Sequence, residues 1–227
     1  MENIADRLEI IHSHIADAAR RSGRAAADIE LVAVSKKFPA ESLLPAVEAG
    51  VALFGESRVQ EAEQKIPLLP SRLRWHFIGN LQSNKVRRAL PLFDVIHSIG
   101  SLDLAQTVNR IAGETGLFPK VYLQTNLASE SSKHGFSSSD LRSSLDELLE
   151  LDRLHILGLM AIPPFRPEPE DSRADFAALR QLRDELEKHG GAPLPGLSMG
   201  MSHDYTVAIE EGATTVRVGT SLFGERA

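Results

Sequence analysis

The 227-residue sequence predicts a parallel (β/α)8 TIM-type barrel with one additional N-terminal helix. Three features carry that expectation. Eight short β-branched or apolar runs recur along the chain, amphipathic stretches separate them, and unusual polar residues collect just after the runs.

In chain order, Ile4, Leu8, Ile11, Ile15 and Ala19 stand at helical spacing before Ser22 and Gly23, so a helix leads the chain. The strand runs follow at 31–35, 53–55, 73–78, 95–98, 121–126, 156–162, 196–199 and 215–218. Eight parallel strands suffice to close a barrel. The most apolar stretch, 154–162, contains His155 and ends at Pro163 and Pro164; it is about half as long as a membrane helix must be and reads as a buried strand. Among the connecting segments, Phe176, Leu179, Leu182 and Leu186 mark one apolar helix face, with Arg180, Asp184 and Lys188 opposite. Lys36-Lys37-Phe38-Pro39 follows the first run where an open dinucleotide-binding sheet would carry glycines, which favours the barrel. Composition shows no internal boundary, so residues 1–227 are expected to form a single domain, with 129–139 and 163–169 as loops able to act as lids.

A hydrophobic fraction of 42% is that of an ordinary globular chain, so disorder is excluded as the organising theme. The net charge of -6 opposes general nucleic-acid binding, although a local basic pocket stays open. With no cysteine there can be no disulfide, thiolate metal site or cysteine nucleophile. Glu2, Asp6, Arg7 and Glu9 interrupt the N-terminal stretch, unlike a secretory signal, and a cytoplasmic location away from membranes is expected.

Chemistry in such barrels sits where the strands end, because the βα loops converge there. Lys36 ends the first run, Glu56 and Ser57 follow the second, Asn80 the third, Asn126 ends the fifth, and Ser202 and Thr220 close the last two. A half-enclosed lysine favours its neutral amine, which attacks aldehydes to form a Schiff base. The alternative is that Lys36 snorkels to solvent, as Lys37 is expected to do. In 196–224 two strand-to-helix turns combine glycines with hydroxyls, a pattern suited to a phosphate dianion and also to ordinary turns. His76 could pack near a bound ring or be a buried, hydrogen-bonded histidine. Glu56 could orient polar groups or cap the following helix, and Lys133 could steer phosphate or remain solvated.

Several blocks in one order resemble the pyridoxal 5′-phosphate (PLP) homeostasis protein family, related to the N-terminal barrel of alanine racemase. They are Ala33-Val34-Ser35-Lys36, Phe54-Gly55-Glu56-Ser57-Arg58-Val59-Gln60-Glu61, the stretch from Trp75 to Lys85, Gly158-Leu159-Met160, Leu197 to Ser202 with Asp204, Val216-Arg217-Val218-Gly219 and Phe223-Gly224. The resemblance implies PLP held as a Schiff base on Lys36, its phosphate on Ser202, Gly219 and Thr220, and Arg217 facing the pyridine nitrogen. Ser57, His76, Ile78, Asn80 and Met199 complete the expected cofactor site; no metal ligand and no catalytic residue is expected. Two departures stand out: Ser57-Arg58 replaces the Asn-Tyr of many relatives, and Phe38 stands where a second lysine is frequent.

An arginine opposite the ring cannot protonate it usefully, which leaves a weak electron sink. The implied role is a monomeric PLP carrier or buffer that influences amino-acid and keto-acid balance, with apo-PLP enzymes as possible recipients. A PLP-dependent amino-acid racemase is the alternative, and a PLP-free barrel enzyme acting on a phosphorylated metabolite is a third. Racemisation by two bases needs a group opposite the lysine, and the only tyrosines are Tyr122 and Tyr205.

Overall fold

A computed structural model describes residues 3–127 and 134–224. Each strand arises where the sequence places its apolar runs. In order, the elements are α1 (Ile4–Arg21), β1 (Glu30–Val34), α2 (Leu44–Glu48), β2 (Leu53–Glu56), α3 (Val59–Lys65), β3 (Arg74–Phe77), α4 (Val86–Ala89) and β4 (Val95–Ile99). There follow α5 (Leu102–Thr115), β5 (Lys120–Thr125), α6 (Ser138–Ser143), α7 (Leu145–Leu149), β6 (His155–Ala161), α8 (Arg173–Gly190), β7 (Gly196–Met201), α9 (Tyr205–Glu210), β8 (Thr215–Val218) and α10 (Thr220–Phe223).

Among the described residues the eight strands close a barrel in sequential order. All pairs are parallel, including β8 back onto β1, where Ala33 lies opposite Val218. The expected strand runs therefore hold, with ends shifted by a residue or two. Alternation along each strand divides the apolar residues between two layers. Ala33, Phe54, Trp75, Phe77, Ile96, Leu123 and Val216 join the core under the helices. Val95, Tyr122 and Met160 form a separate cluster inside the barrel.

The leading helix begins with a reciprocal cap: the Asn3 side chain accepts the Asp6 N–H at 2.9 Å, and the Asp6 carboxylate accepts the Asn3 N–H at 3.2 Å. Its apolar face buries Leu8, Ile11, Ile15 and Ala19, as the spacing requires. On α8 the residues Phe176, Leu179, Leu182 and Leu186 are likewise buried. No helix among the described residues is long and apolar enough to cross a membrane.

Candidate functional site

The site is built where β1 meets β8. Lys36 lies in a turn directly after β1 and is half-buried, while Lys37 beside it is exposed. Lys37 lies in the turn with φ 69° and reaches solvent, as expected. Gly219, directly after β8, packs on Val34: a side chain at that position would place its first carbon 3.3 Å from the Val34 Cβ. The last loop thus lies against the strand that ends in the lysine.

Ser202 ties the last two loops together. Its Oγ accepts the N–H of Gly219 at 3.0 Å and of Ser221 at 3.4 Å, and the Ser221 hydroxyl donates to the Ser202 carbonyl at 3.2 Å. Thr220 and Ser221 are exposed beside them, so hydroxyls and backbone line this corner. The nearby Asp204 carboxylate is engaged by the Met201 N–H at 2.7 Å. Gly200 makes the approach of α9 possible: its φ is 89°, and a Cβ there would stand 2.6 Å from Ala208 Cβ and 2.9 Å from Tyr205 Cα.

Across the mouth, a cavity of about 300 Å³ runs past Ile78, Asn80, Asn126, Met160 and Ile162 to Pro163 and Pro164. Asn80 is exposed on its rim and shares a 3.2 Å contact with His134 Nε2. The 163–169 loop therefore borders the mouth, as a lid would. Lys133 lies outside the described residues.

Below the mouth the lumen holds a polar chain. Arg217 Nη2 donates to the Ala161 carbonyl at 3.0 Å and Nη1 to Ser198 Oγ at 2.5 Å. Ser198 Oγ contacts His97 Nδ1 at 2.8 Å, and His97 Nε2 contacts His76 Nδ1 at 3.0 Å. Strands β4 and β7 are not neighbours in the wall, so the His97–Ser198 bond must cross the interior. Arginine only donates, so Ser198 accepts from Arg217 and its own proton goes to His97, whose other nitrogen donates to His76. The reverse direction would leave the serine proton without an acceptor. Desolvation lowers His76 to about 3 and His97 well below its ordinary value, so both are neutral. Burial also lowers Arg217 to about 10, which leaves it a cation at neutral pH.

Of the expected cofactor residues, Ile78 and Asn80 line the cavity, whereas Lys36, Ser202, Gly219 and Thr220 follow β1, β7 and β8 on the same rim of the barrel. Ser57 follows β2 and is half-buried; its peptide carbonyl presses on Gly79, where a Cβ would come within 2.0 Å of it. Arg217 and His76 lie inside the barrel and are almost fully buried. His76 is level with Gly55 and, through it, with Val34, two residues short of Lys36. It is buried and hydrogen-bonded to His97. Met199 departs from expectation: its side chain belongs to the core under the helices, because alternation from Ser198 turns it outward. Glu56 does not cap α3. It is fully buried, accepts the Ser35 hydroxyl at 2.6 Å and pairs with Lys65. Burial raises its carboxyl above the usual range, against the pull of Lys65 and Ser35. Phe38, in place of a lysine, packs on Phe223 with ring centroids 5.1 Å apart.

Sequence reasoning did not single out His97 or Lys65. His97 left one readable signal, a polar residue two positions from Val95 on a buried strand. Lys65 left none, since a lysine on a short helix is ordinarily solvated.

The model of the alanine racemase N-terminal domain matches residues 8–227. The pyridoxal phosphate homeostasis protein of Aquifex aeolicus is 42% identical over 225 residues, covering 99% of each chain. The chain belongs to the pyridoxal phosphate homeostasis protein family. The structure of PipY from Synechococcus elongatus with PLP bound matches at a TM-score of 0.87 and 42% identity, covering 98% of this chain and 100% of PipY. An alanine racemase of Clostridium difficile matches at a TM-score of 0.76 and 16% identity, covering 97% of this chain and 57% of the racemase; that likeness is one of fold. The family's barrel is the one built here from eight strands, with Lys36 at the joint between first and last.

Proposed function

We propose that this chain binds PLP covalently on Lys36 and serves as a carrier or buffer in PLP homeostasis. One observation carries the reading: the strand leading into Lys36 packs directly against the hydroxyl-lined last loop, through Gly219 on Val34. A cofactor with an aldehyde at one end and a phosphate at the other needs an amine and an anion cradle on adjoining strand ends. The residues present fit it, and the bound PipY relative uses the same fold for the same molecule.

When bound, the cofactor supplies an aldehyde that condenses with an amine, with loss of water. Lys36 provides that amine from a half-buried position that keeps bulk water at one side. Ser202, Gly219 and Thr220 hold the phosphate with hydroxyl and amide donors, and the cavity past Ile78 and Asn80 leaves room for the ring. Arg217, locked as a donor by Ser198 and the Ala161 carbonyl, faces the pyridine nitrogen and gives it no proton. Both tyrosines are engaged elsewhere. Tyr122 bonds Thr215 at 3.1 Å inside the barrel, and Tyr205 bonds His14 at 2.9 Å beside α1. Neither acts as the second base a two-base racemase requires, which favours the carrier. We infer a cytoplasmic monomer that delivers PLP to apo-enzymes.

Intact-mass analysis after borohydride tests the reading. Wild type is expected to gain one PLP-sized adduct, located on Lys36, and Lys36→Ala to gain none. An unmodified wild type overturns the assignment. Fast amino-acid racemisation by the purified protein would overturn the carrier role and leave the cofactor in place.

A further inference from the structure

The turn that presents Lys36 is gripped from behind by α3. Its backbone closes through the Phe38 N–H on the Ser35 carbonyl at 3.1 Å, and its third residue, Lys37, sits at φ 69°. Left-handed backbone is costly for a residue with a side chain and persists where neighbours over-determine it.

Two α3 side chains one helical turn apart supply the restraint. Glu61 accepts the Lys37 N–H at 3.1 Å, and Lys65 donates to the Ser35 carbonyl at 3.0 Å. Lys65 is anchored in turn by the buried Glu56 carboxylate, which also takes the Ser35 hydroxyl. The Ser35 carbonyl belongs to the peptide unit before Lys36, and the Lys37 N–H to the unit after it. Pinning both peptide planes sets the backbone angles of Lys36, and with them the direction in which its side chain leaves the chain.

We propose that Glu61 and Lys65 are positioning residues that aim the Lys36 amine across the barrel mouth. This rests on Lys36 being the cofactor lysine. Neither residue is placed in contact with the cofactor; each acts through the two peptide units.

Charge and position make opposite predictions at Glu61, which allows a clean test. Removing a carboxylate near the mouth should speed the approach of a phosphate dianion, whereas loosening the turn should slow its covalent capture. Lys65→Met would leave Glu56 buried and unpaired and is expected to impair folding, so the informative variants are Glu61→Ala and Glu61→Gln. Full-length protein freed of cofactor is mixed with PLP, and capture on Lys36 is followed by absorbance and by borohydride-fixed mass, with melting curves confirming that each variant is folded. Glu61→Ala is expected to capture PLP about three- to tenfold more slowly, the effect of losing one hydrogen bond. Glu61→Gln keeps an acceptor for the Lys37 N–H and is expected within about twofold of wild type on the same grounds. A Glu61→Ala protein as fast as wild type, or a Glu61→Gln protein as slow as Glu61→Ala, overturns the proposal. Wild type without any adduct overturns the cofactor assignment instead, so the two failures are told apart.

Discussion

A single hydroxyl, that of Ser202 after β7, accepts two backbone N–H groups after β8, those of Gly219 and Ser221, and so joins the two loops proposed to hold the phosphate. Ser202→Ala is expected to weaken PLP binding about tenfold, one or two hydrogen bonds' worth, while costing only ~1 kcal/mol of stability; equilibrium titration beside a urea melt separates the two. Close packing dictates other residues. Gly79 admits no Cβ because the Ser57 carbonyl occupies the space, so Gly79→Ala is expected to lose about 3 kcal/mol or more. A urea midpoint equal to wild type would contradict that approach. At this scale the sequence was legible where chemistry is unusual, as at Lys36 after an apolar run. It was illegible where an ordinary residue is enlisted by a distant partner: nothing near Lys65 announces that it will bury its amine against Glu56.

Helix α1 shows what an element outside the repeat does. It lies over the last βα units, where Arg21 pairs with Glu210 and Arg7 reaches the Leu222 carbonyl, while Arg24, just past its end, donates to the Ile209 and Ala213 carbonyls at 3.2 and 2.8 Å. The loops of Ser202 and Gly219 are thereby backed by a helix remote in sequence. Arg24→Ala leaves the Ala213 carbonyl short of a donor, while the Ile209 carbonyl keeps the Gly212 N–H at 2.9 Å; the change should cost about 1–3 kcal/mol, with faster hydrogen exchange in α9. Unchanged exchange there would show that the segment following α1 does not brace α9. Strand and helix positions were readable throughout, because each buries one face and the periodicity records which. The tie between α1 and α9 was not, since it joins ends of the chain about two hundred residues apart.

For the whole molecule, the buried histidines govern the response to acid. Unfolded, a histidine titrates near 6.5; His76 in the folded barrel is held down to about 3 and His97 is lowered as well. Between those values the unfolded chain binds protons that the native chain refuses, so stability is full above about pH 6.5 and falls as pH drops below it, by ~1.4 kcal/mol per pH unit for each histidine. Glu56, raised by burial, opposes this as a single site against two histidines. Urea midpoints at pH 7 and 5 should therefore fall with pH, and His76→Asn should flatten the slope. A midpoint independent of pH would show that the histidines are not buried neutral.

Periodicity and strand-end chemistry determined the barrel, its leading helix and the lysine at the first strand's end, because burial of one face and the cost of desolvating an amine are local properties that a sequence carries openly. Which polar residues meet was decided only in three dimensions. Closure of β8 onto β1 brings Gly219 to Val34, and closure around the lumen lets His97 reach Ser198 across strands that never touch. Hydrogen bonds act over about 3 Å, and a chain can place two residues that close only after its tertiary fold has been formed.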